Sequence, residues 1–180
     1  LRVDHPDIID FINCKSDWKG GAIAALDTSG SVLITNSSFI NCTAKNQGGA
    51  LDLETGTFNI THSVFINNTV TSSSGYGGAV YVKTGKKTNC INYCNFLNNT
   101  AYSGSSLYNY KYSYTYVACN VNYNYWGTNT VNTTNVNGPT GYKWVILNIT
   151  SNATSNIDKG ATVKVNADFT KYTDGTLIIL

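Results

Sequence analysis

Apolar and polar positions alternate with a period of two over short stretches of this chain. Leu51-Asp52-Leu53-Glu54 places two leucines on one side and two acids on the other, and Val80-Tyr81-Val82-Lys83 repeats the pattern. A second kind of run, Val32-Leu33-Ile34 and Phe58-Asn59-Ile60, leads into Ser37-Ser38-Phe39 and Ser63-Val64-Phe65. Side chains at i and i+2 share a face in a strand, so these runs predict short strands. Their Val, Ile, Thr and Tyr content, punctuated by Gly and Asn, agrees. No stretch carries an apolar stripe of helical period with caps.

The runs recur. Gly-Gly-Ala-[Ile/Leu/Val] begins at Gly20, Gly48 and Gly77, with a degraded copy at Gly104, spaced 28, 29 and 27 residues apart. Phe-[Ile/Leu]-Asn-[Cys/Asn] begins at Phe11, Phe39, Phe65 and Phe96. A period in the twenties marks a solenoid. Two or three short strands per repeat predict an all-β fold, a right-handed parallel β-helix, its handedness taken from the general preference of parallel crossovers. Coils stack about 4.8 Å apart, so equal repeat positions stand above one another. The expectation is an interior column of Phe11, Phe39, Phe65 and Phe96, and an amide ladder of Asn13, Asn41, Asn67 and Asn98. About four to five coils occupy residues 1–142, enough to bury a modest core.

From Lys143 the pattern changes. Trp144–Ile149 and Ala161–Phe169 read as strands, with a turn at Thr173-Asp174-Gly175-Thr176 and a final strand through Leu177–Leu180. Residues 143–180 read as the start of an immunoglobulin-like β-sandwich, cut before its second sheet. Both ends of the chain read as interrupted.

Composition narrows the function. The 180 residues carry a net charge of +2 and only 12% charged residues, with one arginine, Arg2. That argues against nucleic-acid binding, which needs a dense basic patch. No run reaches the apolar length of a membrane span. Glycosylation triplets begin at Asn36, Asn41, Asn59, Asn67, Asn98, Asn132, Asn148 and Asn152.

The five cysteines have no zinc spacing. Cys14 and Cys42 share one repeat position, and Cys94 and Cys119 both precede an inward column by two residues. Coil spacing permits disulfides Cys14–Cys42 and Cys94–Cys119. The preferred reading is small, reduced, buried side chains.

Tyr108, Tyr110, Tyr112, Tyr114 and Tyr116 alternate with polar residues, and Trp126 comes next in Asn124-Tyr125-Trp126-Gly127-Thr128-Asn129. Tyr108, Tyr110, Tyr112, Tyr114 and Trp126 are candidate sugar-stacking residues. The competing reading, a cap or lateral loop, is preferred.

The repeat Gly-Gly-Ala-[Ile/Leu/Val] with Phe-[Ile/Leu]-Asn-[Cys/Asn] resembles the polymorphic outer-membrane adhesins of chlamydiae. With the Asn-Tyr-Trp-Gly closure and the change of pattern at Lys143, the chain is similar to adhesin-like surface proteins of methanogenic archaea. The resemblance implies an exported protein at the cell surface, anchored outside these residues, that attaches to glycans or proteins of a partner cell. It brings no catalytic residues, cofactor or metal.

Parallel β-helices also carry polysaccharide lyases and hydrolases, which need clustered acids. Here Asp52 aligns with Tyr81 and Tyr108, and Glu54 with Lys83, as a surface ion pair. Asp4, Asp7 and Asp10 lie near the start, and His5 and His62 have no ligating partners. The reading is a non-catalytic attachment segment. The alternatives are a polysaccharide-active helix with its groove elsewhere, and a spacer stalk.

Overall fold

The structure is a computed structural model that describes residues 2–3, 9–26, 30–152 and 162–173. The described chain is all-β. It contains no helix, and so none long and apolar enough to cross a membrane. Asp4, His5, Asp7 and the expected final strand Leu177–Leu180 lie outside the described residues.

Four parallel sheets run along a solenoid of about four turns. One coil reads, in chain order, Ser31–Thr35, Ser37–Ile40, Thr43–Ala44 and Leu51–Leu53. Each strand pairs in parallel with its counterpart one repeat on: Ser31–Thr35 with Thr57–Thr61, Ser37–Ile40 with Val64–Ile66, and Leu51–Leu53 with Val80–Val82. The repeat therefore becomes vertical columns. Phe39 pairs with Phe65, and Phe65 with Phe96. Their rings stack at 4.9 and 4.8 Å, and Phe11 stacks on Phe39 at 4.7 Å. Ile34, Ile60 and Ile91 form a second buried column, and Leu51, Val80, Leu107 and Val136 a third.

Three corners bend each coil. Asn36, His62, Tyr93 and Tyr123 turn at the first with φ of 48–65°, and Asn13, Asn41, Asn67 and Asn98 at the second with φ of 53–56°. Gly20, Gly48, Gly77 and Gly104 turn at the third with φ of 58–68°. The second glycine of each pair has a different task. A Cβ on Gly49 would lie 1.9 Å from the carbonyl oxygen of Gly78. Two coils meet there at backbone distance, which no side chain permits.

The amide ladder stands one residue later than expected. Asn41, Asn67 and Asn98 point outward and are exposed, because asparagine tolerates the left-handed backbone that this corner demands. The residue after each turns inward. Asn68 Nδ2 donates to Asn99 Oδ1 at 3.0 Å and to the Phe39 carbonyl at 2.9 Å, and Asn68 Oδ1 accepts from the Cys42 amide at 2.9 Å. Asn99 repeats the bond to the Phe65 carbonyl at 2.9 Å. Asn68 is fully buried. Replacing Asn68 with alanine strands the Cys42 amide and the Phe39 carbonyl, at an expected cost of about 2 kcal/mol. Denaturant unfolding checks this; an unchanged midpoint would show that the ladder is decorative.

All five cysteines are free thiols, so neither Cys14–Cys42 nor Cys94–Cys119 is a disulfide. Cys14 and Cys42 do occupy adjacent coils, next to the pair Lys15 and Thr43. Burial pushes the Cys42 thiol up to about 11. Cys94 and Cys119 are not register neighbours: Asn95 pairs with Tyr125, and Cys90 with Asn120. Cys94 thus lies opposite Asn124, whose Oδ1 accepts from the Cys94 amide at 2.9 Å.

At the far end Trp126 extends the phenylalanine column, stacking on Phe96 at 4.6 Å. Tyr142 lies edge-on to Trp126 at 6.1 Å, and Trp144 beside Tyr142 at 5.6 Å. These rings, with Val131, close the core. Trp144 pairs with Asn124 before the chain leaves the solenoid. Past this point the described residues form one antiparallel hairpin of Val145–Ser151 and Val165–Tyr172. Its second strand starts four residues later than the alternation from Ala161 suggests.

Candidate functional site

The sheet made of Ile23–Ala25, Leu51–Leu53, Val80–Val82, Leu107–Asn109 and Val136–Asn137 turns one face inward, through Leu51, Leu53, Val80, Val82 and Leu107. Alternation sends Asp52, Tyr81 and Tyr108 to the opposite face, in one column between Ala24 and Asn137. An outer face should be wet. Yet Asp52 is 0% and Tyr81 2% exposed.

The glycine corner explains this. It folds the preceding strip of Lys19, Gln47, Tyr76 and Ser103, itself in parallel register, toward the sheet. Tyr76 lies 4.5 Å from the Tyr108 ring, and Tyr81 stacks on Tyr108 at 5.7 Å. Lys19 reaches Glu54 across the corner, and Lys83 Nζ meets the other oxygen of Glu54 at 3.2 Å. The corner is thus re-entrant: Asp52 and Tyr81 fill its inner angle out of solvent, and the ion triad of Lys19, Glu54 and Lys83 lies at its part-exposed rim.

Electrostatics follow from that shape. Burial, with the Glu54 charge added, pushes the Asp52 carboxyl from its ordinary 3.8 up to about 7, against the pull of Lys19 and Lys83. Among the described residues, neither Asp52 oxygen has a hydrogen-bond partner, and neither does Gln47 Oε1. Burial raises Glu54 too, but hydrogen bonds and charge from Lys19 and Lys83 outweigh it and hold that carboxyl below its ordinary value. Burial raises the Tyr81 phenol, with Asp52 and Glu54 adding to the effect.

The candidate tyrosines divide. Tyr108 belongs to the sheet. The chain then forms a small hairpin, Lys111–Tyr112 with Thr115–Tyr116, so the predicted row is broken at its middle. Ser113 supplies the positive φ of 54° that a two-residue turn needs. Tyr110 meets Tyr112 edge-on at 4.8 Å, Tyr114 stands at the tip with 91% exposure, and Tyr116 folds back to donate to Asn137 Oδ1 at 3.0 Å. Lys111 Nζ sits 5.2 Å from the Tyr116 ring. Tyr108, Tyr110 and Tyr112 therefore gather beside the corner. Trp126 does not: at 2% exposure it is core, because its repeat position is that of the phenylalanines.

Sequence reasoning missed Lys19, Gln47 and Tyr76. Their signal was present, since each stands one residue before a glycine pair, but only the corner's angle brings them to Glu54 and Tyr108. All eight candidate glycosylation asparagines, Asn36, Asn41, Asn59, Asn67, Asn98, Asn132, Asn148 and Asn152, are exposed. Among the described residues no group of three His, Cys, Asp or Glu is placed to hold a metal ion.

A second concavity, about 550 Å³, lies between the solenoid flank and the terminal hairpin, lined by Tyr93, Tyr123, Tyr125, Leu147, Phe169 and Tyr172 among others. Its rings are engaged with one another: Tyr93 with Tyr123 at 5.3 Å, Tyr123 with Tyr172 at 4.8 Å, and Tyr125 with Phe169 at 5.0 Å.

No protein family, curated protein or solved structure matches this chain.

Proposed function

We propose that this chain is a non-catalytic segment of an exported, adhesin-like surface protein, a stiff right-handed rod that leads into an immunoglobulin-like domain and attaches to partner-cell glycans. The observation that carries this reading is the tyrosine-walled corner. Five phenol side chains, of Tyr76, Tyr108, Tyr110, Tyr112 and Tyr116, collect on one strip of the last coils, with Tyr81 buried beneath them. Tyrosine offers an apolar ring and a hydroxyl together, which suits a sugar's apolar face and polar rim. The stacked coils lose little further freedom on binding, so little ordering cost is charged against each contact. Among the described residues the neighbouring carboxyls are Asp52 and Glu54. The first is sealed and the second doubly ion-paired, which favours holding a ligand over cleaving one.

Glycan-array binding of the chain tests this. The double substitution Tyr110→Ala and Tyr112→Ala is expected to weaken binding about 10-fold or more; Tyr112 is 56% exposed and Tyr110 half-buried, so circular dichroism of the variant accompanies the array. Unchanged binding would remove the strip from the attachment surface. Absence of binding to both glycans and cells would leave only a spacer.

A further inference from the structure

The charge that solvent can best reach at the re-entrant corner has one sign. The Lys83 side chain is 37% exposed and that of Lys19 18%, against 12% for Glu54 and 0% for Asp52. One carboxylate therefore serves two ammonium groups, and the second carboxyl is hidden beneath them. Each ammonium has three N–H donors, of which Glu54 takes one from each lysine. Among the described residues nothing else accepts from them, which leaves the rest to an incoming acceptor. Val82 pairs with Asn109, and the Tyr110 amide donates to the Val82 carbonyl at 2.7 Å, which sets Tyr110 next to Lys83 on the following coil, with Tyr112 edge-on to it at 4.8 Å; an anion on Lys83 would therefore bring its carrier beside those rings. A cationic ligand would find both nearby carboxyls already taken, Glu54 by its two lysines and Asp52 by burial.

We propose that the corner is a recognition site for the acidic group of a glycan, a uronic acid carboxylate or a sulfate ester, held by Lys83 and Lys19 while the sugar ring packs beside Tyr110 and Tyr112. The proposal rests on the attachment reading above and names its ligand class. The acidic group adds to a ring contact that any pyranose can make, so selectivity resides in the lysines. The buried carboxyl tunes the site. Among the described residues, the charged or titratable groups facing Asp52 are Glu54 two residues on, Lys83 and Tyr81 on the next coil, and Lys19 across the corner. Among the described residues, with Asp52 neutral the cluster carries a surplus of one positive charge, and ionisation of Asp52 cancels it.

Isothermal titration of the chain with three probes decides the matter: oligogalacturonate, a sulfated galacto-oligosaccharide and the uncharged galacto-oligosaccharide. At pH 6 and low salt, at least one acidic probe is expected to bind about 10-fold or more tightly than the neutral one. Which acidic probe binds identifies the source of the group. Lys83→Gln should abolish that preference, and Lys83→Arg should keep it. Raising the pH to 8.5 should shrink the preference in the wild type but not in Asp52→Asn. Equal affinity for acidic and neutral probes, or a preference that survives Lys83→Gln, overturns the site while glycan attachment stands. If no probe binds but cells do, the site falls and attachment passes to a protein partner. If neither binds, both readings fall.

Discussion

Replacing Phe65 with alanine is expected to cost the rod about 4 kcal/mol, the largest loss of any single side chain here. Phe65 is fully buried. Both faces of its ring are covered, by Phe39 at 4.9 Å and Phe96 at 4.8 Å. A globular core can partly collapse around such a deletion, but coil spacing is set by backbone hydrogen bonds and cannot shrink. The cavity therefore persists. It also sits mid-stack, where it weakens the interface with both neighbouring coils, and stability in a solenoid is largely a sum of such interfaces. Phe11→Ala provides the contrast, since Phe11 is only half-buried and packs on Phe39. Urea denaturation of the two variants should give a loss at least twice as large for Phe65. Equal losses would mean that the column is not the structural axis of the fold.

Substituting Asp52 with asparagine should stabilise the protein, and increasingly so as pH rises. In the unfolded chain this carboxyl titrates near 3.8, and in the folded chain near 7. Between those values the folded state holds a proton that the unfolded state has lost, so stability falls with rising pH across this window. Below about pH 4 both forms are protonated and the penalty vanishes. Above about pH 7 it is constant, on the order of 4 kcal/mol. The amide of asparagine carries no charge to desolvate, so the variant escapes it. Thermal or urea unfolding at pH 4, 6 and 8 should show the gap between variant and wild type opening from near zero. Glu54 works the other way: held below its ordinary value, it contributes stability that is lost as pH falls through its folded pKa. A gap that does not change with pH would refute the picture of a sealed, unpartnered carboxyl.

Recurrence in the chain reveals which residues stack, and for that reason the phenylalanine column and the parallel coils were legible from spacing alone. Recurrence does not reveal which way a column faces. Asn41 and Asn68 recur equally well, and only the backbone's left-handed corner decides that the first points out and the second in. The same limit hid Asp52. Alternation correctly placed it on the outer side of its strand, but exposure depends on what the glycine corner folds over it. Cys119 was misaligned for another reason. The small hairpin of Lys111–Tyr116 lengthens the path between coils, so counting back from the next inward residue lands on the wrong strand. Beyond Trp144 the described residues supply one hairpin, and the sandwich expected there is carried by the proposal alone.

The way the rod finishes has a consequence for its behaviour in company. A stack of parallel coils is a template at each end: its last rung offers free backbone amides and carbonyls in perfect register for another identical chain. Here Trp126, Tyr142 and Trp144 plug the interior, and the chain steps off the final rung at Asn124 and doubles back on itself. Growth is thereby poisoned at that tip in the way a mismatched molecule stops a crystal face. The architecture keeps the cohesion of a fibril along its coils while halting its propagation at this tip.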